Sequence, residues 1–129
     1  MAASTDAVAS FQFEVIAARR DYAATHAPAI VGFVSALADA FRFIRVPANR
    51  SDTTKAFSEL TGAPDDIARA TLALYLDPDR GVLPTRAEID LAGVAQVIAF
   101  MGQGSIIKEP LPTPEQFVDL QYLKAAGVK

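Results

Sequence analysis

A single apolar stripe restricts the possible folds of this chain more than any other feature of its sequence. Large apolar residues recur at steps of four, three, four and three positions, which places them on one face of an α-helix. They are Ile30, Val34, Leu37, Phe41 and Ile44, and the stripe is widened by Phe33, Ala40 and Phe43. Because Pro28 is tolerated in a first turn and Pro47 cannot continue a helix, we expect one long helix between these prolines.

This helix is expected to lie in the protein core. Its most apolar part covers residues 27–38 and then continues into Asp39, Arg42 and Arg45. That stretch is shorter than the roughly 20 apolar residues needed to span a bilayer, and one of its ends is charged. The sequence therefore predicts a buried helix and a protein that does not span a membrane.

Capping signals predict further helices along the chain. Asp65 and Asp66 favour the positive end of a helix dipole, and Thr85 with Glu88 fits a capping box. Gly62 can close a helix in the left-handed conformation. The expected segments are a turn over 19–26, a helix over 51–62 with Ser51 as its N-cap, helices over 64–77 and 85–102, a turn over 114–117 and a short final helix over 120–126.

Residues 11–18 carry the only strand pattern in the chain. Apolar and polar side chains alternate from Phe11 to Glu14, and the residues from Val15 to Ala18 are wholly apolar. This order predicts one β-strand with a half-exposed end, and a single strand needs a sheet to join. The expected fold is mainly α, with five or six helices and about one strand.

The composition excludes several classes of function. The net charge is −3 and the 12 Lys and Arg residues are scattered, so nucleic acid is not an expected partner. The chain has no cysteine and one histidine, His26, whereas zinc sites need three or four ligands and nucleophilic sites need a base beside a nucleophile. We expect His26 to cap a helix at the surface, and we expect no enzymatic activity, no metal and no cofactor.

Two further patterns suggest an ion-binding site. In each case the spacing or the neighbouring residues favour an ordinary loop or exposed charges instead. The loop over 77–88 resembles a calcium-binding loop, but Gly81 and Val82 stand where an oxygen ligand and a glycine are needed. Arg19 and Arg20 could hold an anion, but we expect them to meet Asp21 and solvent.

The domain organisation is expected to be simple. Residues 1–10 are small and polar and predict a flexible N-terminal segment, and residues 11–129 are expected to form a single helical domain. The apolar share of 51% is high for a chain of 129 residues, so apolar surface should remain after the helices pack. We therefore expect a homodimer. Residues 1–10 have no signal-peptide features, so export would need a leader encoded elsewhere.

Four segments in this order resemble the C-terminal part of periplasmic substrate-binding proteins of ABC importers, in the group that serves nitrate, taurine, aliphatic sulfonates and thiamine precursors. The segments are Val-Ile-Ala-Ala-Arg-Arg-Asp-Tyr-Ala at 15–23, His-Ala-Pro at 26–28, Ala-Thr-Leu-Ala-Leu-Tyr-Leu at 70–76 and Pro-Leu-Pro-Thr-Pro-Glu-Gln-Phe-Val-Asp-Leu-Gln-Tyr-Leu at 110–123. The resemblance covers about residues 11–127, and the closing Pro-rich run is its most specific part.

The resemblance implies a fold and a function. Proteins of this group have two α/β lobes that hold a small organic or anionic solute in the cleft between them and deliver it to a membrane permease. This chain would be the helical C-terminal portion of that α/β fold, and an N-terminal lobe would be a missing partner. Phe11, Phe13 and Glu14 become candidate substrate-binding residues, and the location would be periplasmic. The alternative is a stand-alone helical interaction domain without its own ligand, which would be cytoplasmic if Met1 is the natural start.

Overall fold

The expected mainly α-helical fold is confirmed. The computed structural model describes residues 11–12, 14–79 and 81–128, and these residues form six α-helices and no strand. The helices are α1 (Arg20–Thr25), α2 (Ala27–Arg45), α3 (Arg50–Thr61), α4 (Asp65–Tyr75), α5 (Leu91–Gln103) and α6 (Gln121–Ala125). Two short 3-10 helices, Pro47–Asn49 and Pro114–Gln116, precede α3 and α6.

These elements belong to two compact units. The first unit takes in the described residues up to Ser35 together with those from Glu88 onward, and the second covers Ala36–Ala87. In the first unit α5 packs against the 3-10 helix Pro114–Gln116. Its buried positions include Ala23, Gly93, Ile98 and Val128.

The second unit is built on a pair of packed helices, α3 and α4. Ala68 and Leu72 of α4 are buried, and so are Thr53 and Thr54 of α3. The hydroxyl groups of both threonines donate hydrogen bonds to backbone carbonyl oxygens four residues earlier, at 2.9 and 2.8 Å. These bonds satisfy the polar groups that the packing removes from water.

The turn between α3 and α4 forms as the sequence predicts. Gly62 adopts φ 71° at the C-terminus of α3, in the left-handed region that glycine enters without steric cost. Asp65 and Asp66 lie in the first turn of α4. The hydroxyl group of Ser58 donates a hydrogen bond of 2.8 Å to the Asp65 carboxylate, which links the two helices across the turn.

The long helix α2 lies where the apolar stripe predicts it, but the expectation of a buried helix is wrong. Of its fully described residues, Ala38 alone is buried, and the five stripe residues are half-buried. Phe33 and Phe43 are 51% and 47% exposed, so they do not widen the packed face. At 3.6 residues per turn, Phe43 lies about 140° from the centre of the stripe. By length and composition alone, α2 could cross a membrane.

Two helix starts differ from the predicted ones. The capping box at Thr85 opens no helix, because Ala87 adopts φ 62°, which interrupts a right-handed helix. Instead, α5 begins at Leu91, and the Asp90 carboxylate accepts the Ala92 N–H at 3.0 Å. Ser51 is not the N-cap of α3, since that helix begins one residue earlier, directly after the 3-10 helix Pro47–Asn49.

The predicted strand over 11–18 does not form in the described residues. Residues 11–12 and 14–19 belong to no helix or strand before α1 begins at Arg20. The described part of the chain contains no other strand with which this segment could pair. A β-strand is defined by its hydrogen bonds to a neighbour, so the alternating sequence alone is not sufficient.

Candidate functional site

The three residues predicted to bind substrate lie at the start of an extended segment. We call residues 11–12 and 14–19 the arm. Phe11 is 43% exposed and Glu14 is exposed, whereas Phe13 lies outside the described residues. The structure therefore places two of the three predicted residues at the surface of the first unit, where a solute can reach them.

Gln12, which the sequence did not single out, attaches the arm to the rest of the unit. Its side-chain oxygen accepts a hydrogen bond from the Asp90 N–H at 2.9 Å, and its side-chain nitrogen donates to the Glu14 carbonyl oxygen at 2.7 Å. Asp90 precedes the first residue of α5. The amide of Gln12 thus holds the arm at the N-terminus of α5.

Gly93 allows this attachment, because the backbone of the arm passes directly over it. A Cβ atom on Gly93 would lie 2.5 Å from the Gln12 nitrogen and 2.9 Å from the Phe11 carbonyl carbon. A helix-interior glycine costs about 1 kcal/mol relative to alanine. A glycine at the third position of an apolar helix was therefore the sequence signal that could have revealed the close approach.

Beyond Glu14 the arm is open to solvent. Val15 and Ile16 are 60% and 64% exposed. Within the described structure, no hydrogen bond joins the backbone N–H and C=O groups of residues 15–18 to another residue. These four residues present a row of backbone donors and acceptors beside two exposed β-branched side chains.

The short helix α1 follows the arm and presents an aromatic pair. The rings of Tyr22 and His26 stack with centroids 4.1 Å apart and an angle of 9° between their planes. His26 terminates α1 and its backbone N–H donates to the Tyr22 carbonyl oxygen, so the predicted capping role is confirmed. The hydroxyl group of Thr25 lies 2.9 Å from His26 Nδ1. Arg19, Asp21, Tyr22, Thr25 and His26 line a shallow depression.

Two of these lining residues, Arg19 and Asp21, form a salt bridge. The Arg19 guanidinium donates two hydrogen bonds to the Asp21 carboxylate, at 3.1 and 2.6 Å, and both side chains are exposed. The Arg19 side chain, followed by the Tyr22 backbone N–H, lowers the pKa of Asp21 below its usual value of 3.8. The expected contact between Arg19 and Asp21 is confirmed.

Arg20 does not form an ion pair with Asp21, contrary to expectation, and instead joins α1 to the Pro-rich run. Its guanidinium donates a hydrogen bond of 2.7 Å to the carbonyl oxygen of Gln116, at the end of the 3-10 helix Pro114–Gln116. That turn is stabilised by a capping box, in which the Thr113 N–H donates to the Gln116 side-chain oxygen at 2.9 Å. The Thr113 hydroxyl also lowers the pKa of Glu115, after the larger effect of the Glu115 backbone N–H.

The Pro-rich run also packs against α5. A Cβ atom on Gly102 would lie 2.7 Å from a terminal methyl of Leu111, so this glycine receives the leucine side chain. The arm, α1 and the run over 110–123 therefore form one continuous surface with α5 in the first unit. Sequence reasoning did not identify Gly102 as a packing position.

This surface offers apolar, aromatic and charged groups to a bound molecule. Phe11 and the Tyr22–His26 stack supply apolar contact, and Arg19 supplies a cation whose charge Asp21 partly offsets. Among the described residues, no group of three or more His, Asp or Glu side chains is placed to hold a metal ion. The arrangement is suited to non-covalent contact with a small solute or a protein.

Searches of protein-family models, curated proteins and solved structures find no match to this chain.

Proposed function

We propose that this chain is a helical portion of the substrate-binding protein of an ABC importer, and that it contributes to the capture of small organic or anionic solutes. The resemblance of residues 15–23, 26–28, 70–76 and 110–123 to that family is the starting point. The protein acts by non-covalent binding, and its place of action is the periplasm. A first lobe and a membrane permease are its partners.

One contact between distant residues is the main structural support for this proposal. Arg20 and Gln116 lie in the first and last of the four resembling segments, 96 positions apart in the sequence, and they are joined by a hydrogen bond of 2.7 Å. The first and last of the four segments therefore contact each other within one unit, which supports treating them as parts of one fold.

A titration followed by NMR tests the solute-binding role. Amide resonances of the whole chain are recorded while nitrate, taurine or an alkanesulfonate is added. We expect shifts confined to the arm and α1, with dissociation constants in the millimolar range because one lobe supplies only part of a closed site. Sodium sulfate serves as the control for unspecific anion effects.

A pair of phenylalanine variants sharpens this test. Phe11→Ala should weaken the interaction, whereas Phe43→Ala should leave it unchanged, since Phe43 is 47% exposed and lies in the second unit. Equal shifts with sulfate and with the organic solutes would contradict the proposal, as would shifts scattered over the second unit.

A second function has one specific observation in its favour. On α4, Ile67 and Leu74 are 53% and 52% exposed and lie seven residues apart, which places them on the same helix face. An exposed apolar pair of this kind is typical of a surface that binds another protein. We propose a stand-alone helical interaction domain as the alternative. It predicts that none of the solutes shifts the arm, while a partner protein shifts resonances of α4.

A further inference from the structure

The middle of the arm is an unpaired backbone edge. Val15 to Ala18 form no backbone hydrogen bonds within the described structure, and Val15 and Ile16 are mostly exposed. A row of free N–H and C=O groups beside β-branched side chains is a template for pairing with another strand. The described residues contain no strand, so this part of the chain has no sheet of its own for the arm to join.

The arm is already held at both ends. Gln12 is bound to the Asp90 N–H at one end, and Arg20, directly after the arm, is bound to the Gln116 carbonyl oxygen at the other. Two-stranded ribbons are marginal in water, largely because two flexible chains must be ordered. Anchoring at both ends removes part of that cost before the partner arrives.

Side chains of opposite charge flank the apolar residues of the arm, so this segment is complementary in charge to a second copy of itself. Glu14 lies before the apolar residues and Arg20 after them. Neither side chain has an ionic partner within the described structure, whereas Arg19 is paired with Asp21. When such a segment meets its own copy in the antiparallel direction, the negative end of each chain lies beside the positive end of the other.

We propose that residues 15–19 pair antiparallel with the same residues of a second copy, with Ala17 opposite Ala17 at a two-fold axis. In this register Glu14 of each chain lies opposite Arg20 of the other, and Ile16 lies opposite Ala18, so that a large side chain meets a small one. A two-fold axis forms each of these pairs twice. This dimer uses part of the arm that the transport proposal also uses, but its tests measure self-association without added solute, so either proposal can fail without the other.

Single-cysteine crosslinking tests the register. The chain has no cysteine, so Ala17→Cys introduces the only thiol. Residues directly opposite each other in an antiparallel pair have Cα atoms about 4.5–5.5 Å apart, within the range of about 4.4–6.8 Å that a disulfide needs. We expect mild oxidation to convert most of this variant to a covalent dimer.

The control for crosslinking is Leu60→Cys, at a position on α3 that is 86% exposed. This variant should form little intermolecular disulfide under the same oxidation, since position 60 lies outside the proposed ribbon. Equal rates of disulfide formation at positions 17 and 60 would overturn the proposal.

Charge exchange provides the second test, by light scattering of the native chain and its variants. The native chain should show a mass twice the 13.7 kDa of one copy. Glu14→Arg should raise the dissociation constant about tenfold, because two exposed attractions become repulsions. The double variant Glu14→Arg with Arg20→Glu should recover part of the affinity, since each charge pair is restored with reversed sign while the hydrogen bond from Arg20 to the Gln116 carbonyl oxygen is lost.

Two outcomes would overturn the dimer through the arm. One is a single-chain mass for the native protein at all concentrations up to the millimolar range. The other is a dimer whose dissociation constant is unchanged by Glu14→Arg but which dissociates in the double variant Ile67→Ser with Leu74→Ser. That result would place the interface on α4. Circular dichroism of every variant verifies that the helices are retained.

Discussion

The backbone nitrogen of Gln12 lies 2.5 Å from the point that a Cβ atom on Gly93 would occupy. The glycine is buried in the first turns of α5, and the Asp90 carboxylate is 2.9 Å from the same point. There is no space for a methyl group between the arm and the helix. This close approach makes Gly93 the position that determines whether the arm can lie on α5.

Gly93→Ala should therefore destabilise the first unit. A methyl group at this site must displace the backbone of the arm, and overpacking of this kind costs about 1–3 kcal/mol in the free energy of unfolding. After the gain of about 1 kcal/mol in helix propensity is subtracted, the net loss is up to about 2 kcal/mol. Urea denaturation followed by circular dichroism measures the difference from the native chain.

Gly32→Ala is the matched control for this prediction. Gly32 also lies inside a helix, but apart from its chain neighbours and the adjacent backbone of α2 no atom lies within 4 Å of the point that its Cβ atom would occupy. The alanine should stabilise the protein by about 0.5–1 kcal/mol through helix propensity alone. Equal effects of the two substitutions would show that the arm does not rest on Gly93.

A second prediction concerns Arg45, the last residue of α2. Its guanidinium donates hydrogen bonds to the carbonyl oxygens of Leu83 and Pro84, at 2.7 and 3.0 Å, and so fixes the loop before α5. Its Nε is buried without a hydrogen-bond partner, which reduces the net benefit. Arg45→Met should cost about 1 kcal/mol in the free energy of unfolding and accelerate amide exchange in residues 81–83.

The comparison for Arg45 is Arg42→Met. Arg42 is exposed and paired with Asp39 on the same helix, and an exposed pair of this kind contributes little to stability. Arg42→Met should leave amide exchange in the loop unchanged. If the loop exchanges at the same rate in both variants, Arg45 does not hold it.

The helices that the sequence predicted well are those defined by local signals. The stripe and the two prolines located α2, and Asp65 with Gly62 located the turn between α3 and α4. Each of these signals acts within a few residues, through side-chain spacing, a cap or a left-handed residue. Neighbouring sequence therefore contains the information needed to predict them.

The features that the sequence did not predict depend on distant residues. Gln12 binds Asp90 across 78 positions, and Arg20 binds Gln116 across 96. Neither contact has a local signature. The strand prediction failed for the same reason, because strand formation requires a partner that the arm's own residues cannot specify. Thr85 carried a valid local signal, but the left-handed Ala87 overrode it.

A third prediction follows from the left-handed conformation of Gly62. Gly62→Ala should destabilise the second unit by about 1–2 kcal/mol, because a Cβ atom at φ 71° is brought close to the neighbouring carbonyl oxygen. No atom outside its neighbours lies within 4 Å of that position, so the cost is conformational and not a clash. Gly62→Asn should cost less, since asparagine tolerates this region. Equal losses would contradict this cause, and thermal unfolding measures both.

The salt bridge in front of α1 gives the protein a predictable response to acid. The Arg19 guanidinium and the Tyr22 backbone N–H lower the pKa of Asp21 in the folded state, so the ionised carboxylate favours folding. This contribution is fully present above the unfolded-state pKa, near 3.8, and is lost as the pH falls through the lower folded-state value. Below that pH, α1 should fray first at Arg20.

Carbon-13 NMR of the Asp21 carboxyl group measures this directly. In the native chain the pKa of Asp21 should lie below its usual value. Arg19→Gln should raise the pKa of Asp21, since the largest cause of the shift is removed. Arg69→Gln, on α4, is the control and should leave the Asp21 curve unchanged. An unaltered titration in Arg19→Gln would mean that the backbone N–H of Tyr22, and not the guanidinium, holds the carboxylate ionised, and the salt bridge would then contribute nothing to the position of α1.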